Sequence, residues 1–78
     1  MENKIDIFRC YFDFRGHEQS VIGYTMHEFT KTGLYDLPGF WIAFNDDRTL
    51  LLASGFDDGA YWIPSSAIKY IAKDFKRY

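Results

Sequence analysis

The chain has one cysteine, Cys10, two prolines, and a net charge of only −2 over 78 residues. Each scarcity excludes something. A single cysteine rules out an intrachain disulfide, so the fold must be stable without a covalent staple, and a reducing, cytoplasmic setting is expected. A charge this close to neutral does not generate the strong single-sign field of a nucleic-acid mimic or a basic nucleic-acid binder. No apolar run reaches membrane-spanning length, and no charged segment is followed by the short apolar stretch of a secretion signal. No metal is expected. Cys10, His17 and His27 are the only soft or borderline donors, and no pair of them has finger or ribbon spacing. The doublets Asp46-Asp47 and Asp57-Asp58 lack the alternating ligands of a calcium loop and read as turn residues. No cofactor motif is present and no catalytic role is assigned. Cys10 alternates with Phe8 and Phe12 on an apolar face, which makes it a buried structural thiol rather than a nucleophile.

Aromatic residues are abundant: eight Phe, six Tyr and two Trp, 21% of the chain. A chain of 78 residues forms one domain, 1–78, with one core that these rings must fill efficiently. The excess of rings leaves some for the surface, where aromatics mark contact sites. The charges are also unevenly placed. Asp36, Asp46, Asp47, Asp57 and Asp58 face Arg48 alone in the middle of the chain, whereas Lys69, Lys73, Lys76 and Arg77 face Asp74 at its end.

Alternation over Lys4 to Phe14 predicts a strand with Phe8, Cys10, Phe12 and Phe14 on one face. Ile5, Ile7 and Tyr11 make its other face partly apolar. A polar turn at Arg15 to Ser20 leads to a return strand over Ser20 to Tyr24. Thr25 and Glu28 fit a capping box, and Gly33 a C-cap, predicting a short helix from Met26 to Thr32. Phe40 to Phe44, Thr49 to Ala53 and Ala60 to Ile63, joined by Asn45–Arg48 and by Asp57-Asp58-Gly59, predict a three-stranded meander. After Pro64, Ser65 or Ser66 caps a helix with Ile68, Ile71, Ala72 and Phe75 at i, i+3, i+4 and i+7, and with Lys73, Lys76 and Arg77 in its last turns. The expected class is α+β: a small antiparallel sheet of about five strands, with the C-terminal amphipathic helix across one face. The alternative is a small Src-homology-three-like barrel, in which that helix shrinks to a single turn.

Two segments carry the alternative. Cys10-Tyr11-Phe12-Asp13-Phe14 resembles the opening Ala-Leu-Tyr-Asp-Tyr strand of Src-homology-three domains, and Tyr61-Trp62-Ile63-Pro64-Ser65-Ser66-Ala67-Ile68 resembles their closing Phe-Pro-Ser-Asn-Tyr-Val. The resemblance implies a polyproline-facing role for Phe14, Trp41 and Pro64. Ala67 departs from it, standing where that family has a ligand-contacting Tyr. The Trp-Ile-Pro-x-Ser-x-Ile stretch is also similar to segments of small phage and mobile-element accessory proteins, which implies a non-enzymatic inhibitor that occludes a host or defence protein.

The function expected is accordingly protein binding, through Tyr35, Phe40, Trp41, Phe56 and Tyr61 flanked by Asp46, Asp47, Asp57 and Asp58. A second expectation, from another class, is nucleotide or single-stranded nucleic-acid binding by stacking on Tyr11, Tyr24 or Trp41. Because one helix covers only one side of the first strand, and Met26 and Phe29 offer a narrow stripe for the other, a homodimer through Ile5, Ile7 and Tyr11 is also expected.

Overall fold

The computed structural model describes the backbone of residues 4–55 and 59–77 and the side chains of 7–55 and 59–73. Six strands run through them: β1 (Lys4–Phe14), β2 (His17–Gly23), β3 (Gly39–Phe44), β4 (Leu50–Ala53), β5 (Tyr61–Pro64) and β6 (Ile68–Arg77). They form two antiparallel three-stranded sheets, in the orders β2-β1-β6 and β4-β3-β5.

The alternation of β1 does what its sequence demands. Cys10 and Phe12 are fully buried, with Phe8 and Phe14 packed at the margin of the same core. Arg15 and Gly16, at φ 54° and 82°, close a two-residue hairpin onto β2. Two successive positive φ values match the strand twist, so β2 starts at His17, three residues before the expected strand. In the second sheet Phe40 and Ile42 point inward from β3 and Ile63 from β5. Phe40 meets Phe12 edge-on at 5.3 Å and Phe29 at 5.4 Å, and these contacts join the sheets.

The C-terminal helix does not exist, and the α+β class is corrected to an almost wholly β architecture. Ser65–Ala67 is a single 3₁₀ turn, after which β6 pairs with β1 along its length. The misleading feature was a spacing. Phe12 faces Ile68 and Tyr11 faces Tyr70, so Lys69 is an extra residue in a bulge. A bulge resets the period-two alternation, which lets Ile68 and Ile71 both pack on the core. Apolar residues three apart thus belong to a bulged strand rather than to a helix face. Lys73 lies on that strand, and no helix dipole is present for it to complement.

The Met26–Thr32 helix is likewise only a 3₁₀ turn, Met26–Phe29, ending at Thr30 rather than Gly33. Its start is as expected, since a Glu28 carboxylate oxygen accepts the Thr25 N–H at 2.9 Å. Phe29 dives into the core, and the β-branched Thr30 and Thr32 that follow disfavour further turns. The meander also needs correction. The hairpin from β3 to β4 forms, but β5 pairs with the opposite edge of β3. β3 is apolar on both faces, with Phe40 and Ile42 inward and Trp41 and Ala43 outward, and so takes the shielded centre of the sheet. Of the expected turn before β5, Asp57 and Asp58 lie outside the described residues.

Candidate functional site

Three surfaces bring side chains together, and the first lies at one end of the sheet pair. There the inward-facing residues Phe14 of β1, Phe44 of β3 and Tyr61 of β5 lie beyond the closed core. Their ring centroids are separated by 5.3 Å for Phe14 and Tyr61, 6.3 Å for Phe14 and Phe44, and 6.4 Å for Phe44 and Tyr61. The Arg15 guanidinium, thrown sideways by its left-handed backbone, lies 5.1 Å from the Phe14 and Tyr61 centroids, within cation–π range. Phe44 is 44% exposed. The next residues form the acidic turn. Asn45 Oδ1 accepts the Asp47 and Thr49 N–H groups, each at 2.9 Å, which ties the loop inward and leaves Asp46 and Asp47 exposed.

The second surface is the outer face of the sheet β4-β3-β5. Trp41 and Trp62 oppose each other there, with centroids 5.2 Å apart. The loop between Lys31 and Gly39 folds onto Trp62. It is pinned by the Gly39 N–H to the Lys31 carbonyl at 3.1 Å and by the Ser65 N–H to the Pro38 carbonyl at 2.9 Å. A Cβ at Gly33 or Gly39 would come within 2.7 Å of the indole, so only glycine lets the loop lie this close. The enclosed Trp62 Nε1 has no hydrogen-bond partner among the described residues. Tyr35 projects from the loop tip, 86% exposed and at φ 52°.

The third surface is a groove between β2 and β4. Each of these strands ends its own sheet, and no ladder joins them. Two adjoining cavities of about 310 and about 430 Å³ share Ile22 and Leu51. Arg9, Ser20 and Thr49 line the first, and Tyr24 and Glu28 the second.

The structure therefore divides the residues expected to act together. Tyr61, Asp46 and Asp47 belong to the ring end. Trp41 and Tyr35 belong to the outer face and its loop, while Phe56, Asp57 and Asp58 lie outside the described residues. Phe40 is fully buried between Phe12 and Phe29, so it is a core residue and cannot contact a partner. Pro64 ends β5, paired with Gly39. Phe44 and Arg15, which no sequence motif singles out, join Tyr61 at the ring end together with Phe14, one of the residues the Src-homology-three resemblance makes ligand-facing. The signal available for Phe44 was its place directly before the acidic turn.

Tyr11, Tyr24 and Trp41 do not form one stacking platform. Tyr11 stacks on Tyr70 at 4.4 Å on the outer face of β2-β1-β6, Tyr24 follows β2, and Trp41 lies on the outer face of the other sheet. Loss of hydration, the Glu18 carboxylate and Tyr11 raise the Tyr70 pKa. Ile7 and Tyr11 are half-buried on that outer face, and the Ile5 side chain lies outside the described residues. Phe29, turned into the core, does not cover this face. Cys10 is fully buried, and burial pushes its thiol from 9.0 up to about 11.

No metal-holding group of three or more His, Cys, Asp or Glu occurs among the described residues. No helix there is long and apolar enough to cross a membrane. Comparisons with protein-family models, curated proteins and solved structures find no match.

Proposed function

We propose that the chain is a non-enzymatic protein-binding module whose ring end and acidic turn contact a basic, apolar patch on another protein. The observation that carries this reading is the Phe14–Phe44–Tyr61 cluster, left partly open at the edge of the core and continuous with Asp46 and Asp47. Aromatic rings with an arginine beside them and a polar rim are the composition found at the centre of protein interfaces. Binding there would occlude the partner surface, which accommodates an inhibitor role in a host cytoplasm of the kind the phage-protein resemblance implies.

Capture from a lysate of the native host identifies the partner, and two variants then test the surface. Phe44→Ala removes a ring that is 44% exposed, at the cost to the fold of its contacts with Phe14 and Tyr61, and should weaken binding by the folded protein roughly tenfold or more, the loss of about 1.4 kcal/mol or above. The pair Asp46→Asn and Asp47→Asn should slow association and flatten its salt dependence. Unchanged affinity and kinetics in both, with each variant folded at the temperature of the assay, would place the contact elsewhere.

A further inference from the structure

We infer that the outer edge of β6, over residues 70–77, accepts an extended acidic segment of a partner protein as a further strand of its sheet. This inference stands apart from the ring end, since it uses a different surface and different residues.

The place of attachment follows from the topology. A strand directs its main-chain N–H and C=O groups to alternate sides, so a strand with one neighbour leaves half of them outside the ladder. The strands that end the two sheets are β2, β6, β4 and β5. β2 and β4 lie against each other, and β5 is four residues long and runs straight into the turn Ser65–Ala67. β6 differs from all of these. It is ten residues long, pairs with β1 on one side, and has no strand on its other side among the described residues. Its bulge lies at Lys69, and residues 70–77 pair with β1 without a further shift of register. This regular edge is longer than an ordinary whole strand of roughly 5–6 residues, and an edge of that length is the template used in strand addition.

Charge decides the occupant. β6 carries Lys69, Lys73, Lys76 and Arg77 against Asp74. The neighbouring β1 does not cancel this excess, because its Lys4 and Arg9 are matched by Asp6 and Asp13. On β2, Glu18 pairs with Lys69 at 3.6 Å and offsets one cation. With every carboxylate of the three strands counted, the sheet remains net positive in a chain whose total is −2. Cations along an edge oppose its pairing with a second copy of the same edge, which would bring lysines against lysines, and they favour a strand of the opposite sign. Packing adds a second requirement. Tyr70, which is exposed, and Ile71, at the margin of the core, stand on the two faces of the edge and offer apolar neighbours to an added strand. The segment therefore alternates acidic with apolar residues.

The test uses fluorescence anisotropy on the full chain with the fluorescein-labelled peptide Thr-Val-Glu-Val-Glu-Val-Thr, the same sequence with Gln for Glu, and the Glu peptide N-methylated throughout. The Glu peptide should bind at least about tenfold more tightly than the Gln peptide at low salt. The N-methylated peptide keeps the charge but cannot donate to a ladder, and should bind at least about tenfold more weakly than its parent. Lys76→Glu together with Arg77→Glu should reverse the preference, so that a peptide with Lys for Glu binds more tightly than the Glu peptide. In hydrogen exchange followed by NMR, the bound Glu peptide should protect alternate main-chain N–H groups within residues 70–77. Phe44→Ala should leave the titrations unchanged, so failure of the ring-end reading and failure of this one are separable. Equal binding of the Glu and Gln peptides, undiminished binding of the N-methylated peptide, as a surface that merely collects anions or nucleic-acid phosphates would give, protection confined to other strands, or no titration up to millimolar peptide would each overturn the inference. The peptide comparisons need no protein variant, so the result does not depend on the folding of the charge-reversed chain.

Discussion

Cys10 shows how one side chain reports on the whole packing. Its thiol, at about 11 against an ordinary 9.0, is held protonated by burial alone. Between those two values the unfolded chain loses the proton while the folded chain keeps it. The folded state then binds more protons than the unfolded state, so stability falls as pH rises from about 9 to about 11, and this contribution is intact below that window. Cys10→Ala should be less stable at neutral pH through the cavity it leaves. The difference between the two proteins in denaturant midpoint should nonetheless shrink across that window. Iodoacetamide at pH 8 should label the native protein only as fast as it opens, and denaturant should accelerate the reaction. Rapid labelling of the folded protein would show that the thiol is not enclosed.

At the scale of the element, β6 is the most instructive segment. Its bulge puts Ile68 and Ile71 on the core and leaves Tyr70 outside, 53% exposed. Ile71→Lys should therefore cost about 2 kcal/mol or more, because a charge and a lost apolar contact fall on the same site. Tyr70→Lys should cost less, forfeiting mainly its stacking on Tyr11, about 0.5–1.5 kcal/mol. Urea unfolding of both variants checks this ordering, and a reversed ordering would contradict the register. The helix expected over this segment and the strand observed use the same isoleucines. Residues three apart share a helix face and also share a sheet face when one extra residue intervenes, so periodicity alone could not separate the two. What decides is the partner: β1 is apolar on its inner face and has an open edge that an extended segment fills with a ladder of main-chain hydrogen bonds.

The whole molecule is a pair of three-stranded sheets whose outer faces differ. One carries Arg9, Tyr11, Glu18 and Lys69 around Ile7 and Ile22; the other carries Trp41, Trp62 and Leu51. We propose the homodimer expected through Ile5, Ile7 and Tyr11, which corresponds to a light-scattering mass of twice 9.2 kDa at high micromolar concentration. Ile7→Lys should return it to the single mass. A monomeric mass throughout, or a dimer indifferent to that change, would remove the proposal.

Local chemistry was enough to determine β1 and its buried face, the Thr25–Glu28 cap, the hairpin around Asn45–Arg48 and the burial of Cys10. Each depends on neighbours within a few residues, and alternation, capping and turn preferences act at that range. The exchange of helix for strand after Pro64, the central place of β3, the burial of Phe40 and the meeting of Phe14, Phe44 and Tyr61 were decided by tertiary structure. So was the groove at Arg9, which exists because β2 and β4 end two different sheets and come side by side. These outcomes turn on which edges and faces find one another across the chain, a long-range competition for burial and main-chain hydrogen bonds that no local pattern of residues encodes.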